Sequence, residues 1–108
     1  MLIFKQGVSI YGLQPEILFA LDRCNEIWAG DCVVTSARGD THSVKSYHRL
    51  GLAVDLRSRD HDPKQIQTTI INARAILGND FDFIFETHHY HLEYDPKRQP
   101  KYLTKLPA

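Results

Sequence analysis

The chain has 108 residues, 43% apolar and 24% charged, with thirteen basic side chains balancing thirteen acidic ones. A chain of this length builds one core rather than two, and zero net charge gives no electrostatic reason to expect nucleic acid or an anionic membrane as partner. No run approaches the roughly 20 apolar residues of a transmembrane helix, and residues 1–12 lack the basic stretch, apolar run and cleavage site of a secretory signal.

The first predicted element is a helix over residues 13–28. Pro15 suits its first turn, where the missing N–H would be unpaired anyway, and Ile17, Ala20, Leu21, Cys24 and Ile27 or Trp28 share one face. Gly30 follows as a stop. Cys32–Ser36 is a short β-prone run that reads as a buried strand, and residues 35–51, polar and without a clear period, read as an ordered loop. In residues 52–57, Leu52, Val54 and Leu56 face one way while Ala53, Asp55 and Arg57 face the other. Asp62-Pro63 signals a second helix start. Ile66, Ile70, Ala73 and Leu77 continue it, and Gly78-Asn79 ends it.

Two strands follow. Over residues 81–86, Phe81, Phe83 and Phe85 share one face and Asp82, Ile84 and Glu86 the other. Over residues 89–95, Tyr90, Leu92 and Tyr94 oppose His89, His91, Glu93 and Asp95. The tail from Pro96, with three prolines and four basic residues, reads as a peripheral extension. This order gives an α+β fold: a single domain over residues 1–108 with a mainly antiparallel sheet covered by helices on one side. Trp28 and the phenylalanines are expected in the core. Cys24 and Cys32 form neither a CxxC pair nor a framework of four or six and read as reduced core thiols, with a single disulfide between them left open.

The chain holds six histidines. If the three later strands are neighbours, their polar faces display Asp55, Glu86, His89 and His91 together. Imidazole and carboxylate suit Zn²⁺, and a catalytic zinc takes three protein ligands and a water, whose pKa it brings towards neutrality. A nearby carboxylate can then move the proton to a leaving amine. Against this stand ordinary alternatives. An alternating polar strand is often only a solvent face, and Asp55, set between Val54 and Leu56, could find Arg57 or Arg38 as its partner. His61 reads as an exposed loop residue; His42 is either close to the metal or a loop histidine. Glu93 lies on the histidine face, where it could orient an imidazole.

The stretch over residues 35–57 resembles the signature of the zinc D-Ala-D-Ala peptidase superfamily, which includes D-Ala-D-Ala carboxypeptidases and dipeptidases, phage endolysins cutting L-alanyl-D-glutamate bonds, and the Hedgehog signalling domain. The hallmark S-x-H-x-x-G-x-A-x-D is matched by Ser46, His48, Gly51, Ala53 and Asp55. An upstream S-x-R is matched by Ser36 and Arg38, and the C-terminal H-x-H strand by His89 and His91. The resemblance covers about half the chain and is nearest to short phage or prophage members. It implies a Hedgehog-like fold, zinc held by His48, Asp55 and His91, and substrate carboxylate or carbonyl groups bound by Arg38 and Ser46. The implied activity is hydrolysis of peptidoglycan stem peptides. A monomer is expected, and without an export signal it would reach the wall by phage lysis or another route, or act in the cytoplasm on recycled wall peptides.

The base departs from the pattern. Many members carry an acid three positions before the last ligand, and here that position is His88. Either Glu86 is the base, reached through a turn at Thr87-His88 as Hedgehog domains reach an earlier glutamate, with His89 beside the metal to stabilise the oxyanion; or His89 is the ligand, completing a regular E-x-x-H with Glu86; or the base is missing. The last case leaves a non-catalytic zinc module, and a metal-free α+β domain stands as the third reading.

Overall fold

A computed structural model describes residues 1–38, 47–48 and 50–96 of the chain. Its elements run β1 (Leu2–Phe4), α1 (Pro15–Ile27), β2 (Cys32–Ser36), β3 (Ala53–Arg57), α2 (Pro63–Leu77), β4 (Phe81–Glu86) and β5 (His89–Tyr94). The strands form one five-stranded sheet in the order β1-β2-β3-β5-β4. Only the β1–β2 pair is parallel; the other three are antiparallel. The fold is thus α+β with a mixed sheet. The strand β1 is an addition to the elements expected from sequence. Three residues are too few to show alternation, and pairing with β2 from Leu2↔Cys32 to Phe4↔Val34 is what defines it.

Local chemistry accounts for the helix ends. In α2 the Asp62 carboxylate accepts from Gln65 N–H at 2.7 Å, while the Gln65 side chain accepts from Asp62 N–H at 2.9 Å. This reciprocal box satisfies two donors that the first turn leaves unpaired, and Pro63 removes a third. Helix α1 starts with Pro15 but has no side-chain cap.

One sheet face supplies Cys32, Val34, Val54, Leu56, Phe83, Tyr90 and Leu92 to a core shared with Ile17, Ala20, Leu21 and Cys24 of α1 and Ala73 of α2. Both helices lie on that face, which leaves the opposite face of β3, β5 and β4 for polar side chains. Cys24 and Cys32 are free and fully buried. Burial pushes both thiols up to about 12.

Two expectations need correction. Of the phenylalanines, only Phe83 is buried. Phe4 and Phe81 are half-buried, Phe85 is on the edge strand and 37% exposed, and Phe19 points outward from α1 at 67% exposed with Arg23 against its ring. A face shared in sequence does not ensure cover, because an edge strand has a neighbour on one side only. His61 is buried rather than in solvent: Ala29 O accepts from its Nε2 at 2.9 Å, Tyr90 O–H donates to its Nδ1 at 2.8 Å, and Trp28 packs on its ring. The tail, beyond Pro96 itself, lies outside the described residues.

Candidate metal centre

The central strand of the polar face is β5, flanked by β3 and β4. Register sets Asp55 directly opposite His91 on one side and Ile84 opposite His91 on the other. The hairpin joining β4 to β5 pairs Glu86 with His89, so Glu86, His89 and His91 emerge on the same face as Asp55. Side-chain parity therefore places the four residues together, as the strand patterns predict. The hairpin turn is fixed from β3's end by Ser58 O–H donating to His88 O at 2.7 Å.

His48 arrives from a loop. Gly51 N–H donates to His48 O at 3.0 Å and Leu52 N–H to Tyr47 O at 2.9 Å, closing a tight turn into β3. Gly51 has φ +73, and a Cβ there would lie 2.1 Å from the Gly12 carbonyl oxygen. Only glycine fits both the left-handed backbone and that approach. The motif glycine thus docks the His48 turn against residues 12–14, where Gln14 N–H donates to Gly51 O at 2.9 Å.

The donor atoms converge on Asp55. Its Oδ1 lies 3.3 Å from His48 Nε2, 3.0 Å from His91 Nδ1 and 3.5 Å from His89 Nε2. His48, Asp55 and His91 present one ligand atom each within 4.8 Å of one another. Two donors each about 2.0–2.1 Å from a tetrahedral zinc stand about 3.3 Å apart, so this spacing suits such an ion. Each imidazole also has its far nitrogen engaged. His48 Nδ1 lies 3.2 Å from Ala37 O, which can only accept, so Nδ1 donates there and the ring is held with Nε2 facing Asp55. His91 Nε2 lies 3.0 Å from Glu93 Oε1. The donor set and the locked nitrogens fit a divalent metal with nitrogen and oxygen ligands.

The electrostatics agree with this geometry. Burial opposes ionisation of Asp55, but hydrogen bonds from His48 and His91 and the nearby imidazole charges outweigh it and hold the carboxyl well below the usual range. His91, hydrogen-bonded to Asp55 and Glu93 and only partly opposed by burial, is pushed up to about 10. In the metal-free molecule a proton thus takes the role that a cation would take between these groups.

The other expected residues are placed as follows. Glu86 is 48% exposed, with Oε1 3.7 Å from His91 Nδ1. Together with His91, Glu93, Asp82, Ile84 and Arg74 it lines a cleft of about 590 Å³. His88 is at the exposed hairpin tip. Arg57 pairs with Asp60 at 2.7 Å and leaves Asp55 to the histidines. Arg38 is exposed just past β2, its guanidinium lying over Gly12. A register shift between Val34 and Ser36 brings Ser36 opposite Asp55. Ser46 and His42 lie outside the described residues. A feature the sequence did not reveal is a second group of potential ligand atoms, from Asp82, Glu93 and Asp95, beside the first. Its signal was the i, i+2 spacing of Glu93 and Asp95, but Asp82 joins only through the β4–β5 register.

No helix among the described residues is long and apolar enough to cross a membrane. Compared with protein-family models, curated proteins and solved structures, the chain matches none.

Proposed function

We propose that this chain is a zinc metallopeptidase of the D-Ala-D-Ala carboxypeptidase and L-alanyl-D-glutamate endopeptidase superfamily, with its Hedgehog-like fold, hydrolysing peptide bonds of peptidoglycan stem peptides. One observation carries the reading. His48, Asp55 and His91, drawn from two separate motifs, bring their ligand atoms within 4.8 Å of one another beside an open cleft. When bound, zinc supplies Lewis-acid activation of water and of the scissile carbonyl at neutral pH.

The chain's own residues supply the rest. Glu86, at the cleft wall 3.7 Å from His91 Nδ1, takes the proton of the attacking water and returns it to the leaving amine. His89, whose Nε2 is turned towards Asp55 at 3.5 Å, donates to the negative charge that develops on the carbonyl oxygen. Arg38 and Ser46 bind carboxylate or carbonyl groups of the substrate peptide. The test is Glu86→Gln assayed on purified muropeptides. It should keep stoichiometric zinc and the wild-type melting temperature while turnover falls by about 10²–10⁴-fold. Undiminished hydrolysis would remove Glu86 as the base.

A second reading is a non-catalytic zinc module that uses the same centre for stability or for gripping a partner. It draws on His88, which stands where many members carry their acid and is at the exposed hairpin tip. That reading requires bound zinc, no cleavage of any muropeptide and a large loss of thermal stability on chelation. Elemental analysis showing no zinc would exclude both.

A further inference from the structure

We infer that Glu93 is a positioning residue of the metal centre: its carboxylate fixes the ring and tautomer of His91 so that Nδ1 is presented to the ion. The inference rests on the metal-binding part of the preceding reading and not on peptidase activity. Neither sequence motif includes Glu93.

The geometry separates the two imidazoles. His48 is steadied by a neutral acceptor, the Ala37 carbonyl at 3.2 Å. His91 is steadied by a charged one, Glu93 Oε1 at 3.0 Å from Nε2. A carboxylate on the far nitrogen holds the proton at Nε2, keeps the Nδ1 lone pair free for a cation and makes that nitrogen a stronger donor. Strand parity sets this up, because residues 91 and 93 project from the same face of β5. Ala53 stands opposite Glu93 on β3, and its small side chain gives the carboxylate room to turn towards His91.

The neighbouring acids reinforce the arrangement. Asp82 is the register partner of Glu93 on β4, and ligand oxygens of Asp82, Glu93 and Asp95 lie within 4.8 Å of one another. Carboxylates so close repel unless donors face them. Donors do: His91 N–H faces Glu93, and Tyr47 O–H donates to Asp95 at 3.2 Å. Tyr47 precedes His48 in the chain, so the acidic group is tied to both histidine ligands. It serves as an anionic shell behind the metal centre.

The test is zinc affinity of the full chain, measured by competition with a chromogenic chelator, for wild type, Glu93→Ala and Glu93→Gln. The visible absorption of the cobalt(II)-loaded forms is read beside it. Wild type should take one zinc. Glu93→Ala should bind about 10- to 100-fold more weakly and show an altered cobalt spectrum, with the melting temperature of the metal-free protein little changed. Glu93→Gln keeps side-chain length and an acceptor oxygen, so it should restore the cobalt spectrum. Wild-type affinity and spectrum in Glu93→Ala would overturn the inference while leaving the metal centre intact. A Glu93→Gln spectrum that departs from wild type would overturn it too, and this variant decides the matter even if Glu93→Ala fails to fold. Two zinc ions in wild type, one lost with Glu93, would make the acidic group a cation site and overturn the positioning role. No zinc in wild type would instead sink the metal-centre reading itself.

Discussion

His61 and His91 look alike in the sequence, each next to an acid or an aromatic residue in a polar stretch. The structure gives them opposite duties. His61 has both ring nitrogens committed to protein partners, Ala29 O and Tyr90 O–H, and its ring packs on Trp28. It joins the loop before α2 to the central strand from the core side. His91 is on the other side of that strand with one nitrogen towards Asp55 and one towards Glu93. Replacing His61 by alanine removes two hydrogen bonds, leaves the Ala29 carbonyl without its donor and opens a cavity beside Trp28. His61→Ala should therefore cost about 3 kcal/mol in urea unfolding, with zinc stoichiometry intact. A loss under about 1 kcal/mol would mean that water replaces the ring at little cost.

At the scale of elements, the β4–β5 hairpin controls the chemistry, because its two-residue turn decides which face Glu86 shares with His89. Thr87 occupies the first turn position with φ 50, the only positive φ among the described non-glycine residues. His88 N–H donates to Glu86 O across it, so Thr87 is the centre of a γ-turn with positive φ, a strained conformation that suits glycine better than a β-branched side chain. The left-handed backbone costs a non-glycine residue about 1–2 kcal/mol, partly offset by the lower unfolded-state entropy of threonine. Thr87→Gly should accordingly stabilise the protein by about 0.5–1 kcal/mol and raise the melting temperature by a few degrees. An unchanged or lower midpoint would show that the turn is not strained. The pairing of Glu86 with His89 should persist, since Ser58 still fixes the turn through the His88 carbonyl.

Much at this scale was legible beforehand. The two helices, the strand at Cys32–Ser36, the alternation around Asp55 and the final two strands all follow from periodicity, caps and glycine stops. β1 was not, since a three-residue edge strand carries no period of its own and exists through its neighbour. Phe19 and Phe85 show the converse limit: hydrophobic type marks a candidate for burial, but position relative to the helices and the sheet edge decides it.

For the whole molecule, metal and protons compete for the same centre. In the metal-free protein the Asp55 carboxyl is held below its ordinary 3.8, so its contribution to stability is present above that pH and is lost as pH falls. His91 is raised from 6.5 to about 10, so its contribution is complete below 6.5 and is lost as pH rises towards 10. Metal-free protein should thus be most stable between those two ordinary values. Zinc needs the Nδ1 lone pair of His91 and must displace a proton to obtain it. The melting-temperature gap between zinc-loaded and chelator-treated protein should therefore widen from pH 6 to pH 9, as mass action favours the loaded form. Scanning calorimetry across that range checks this, and a gap independent of pH would count against His91 as a ligand.

Apart from β1, the sequence by itself determined the element types, the α+β character and the identity of the residues that gather around Asp55. Those features depend on spacing of 3.6 or 2 along the chain and on motifs local to one segment. Tertiary structure decided the rest. It made β5 the neighbour of both β3 and β4, which puts Asp55 and Glu86 on either side of the histidine strand. It also placed His91 Nδ1 nearer Asp55 Oδ1, at 3.0 Å, than His89 Nε2, at 3.5 Å. The physical reason is that alternation fixes only the face on which a side chain emerges. Strand order and register fix what lies beside it, and only they could bring Glu93, Asp82 and Asp95 together behind His91.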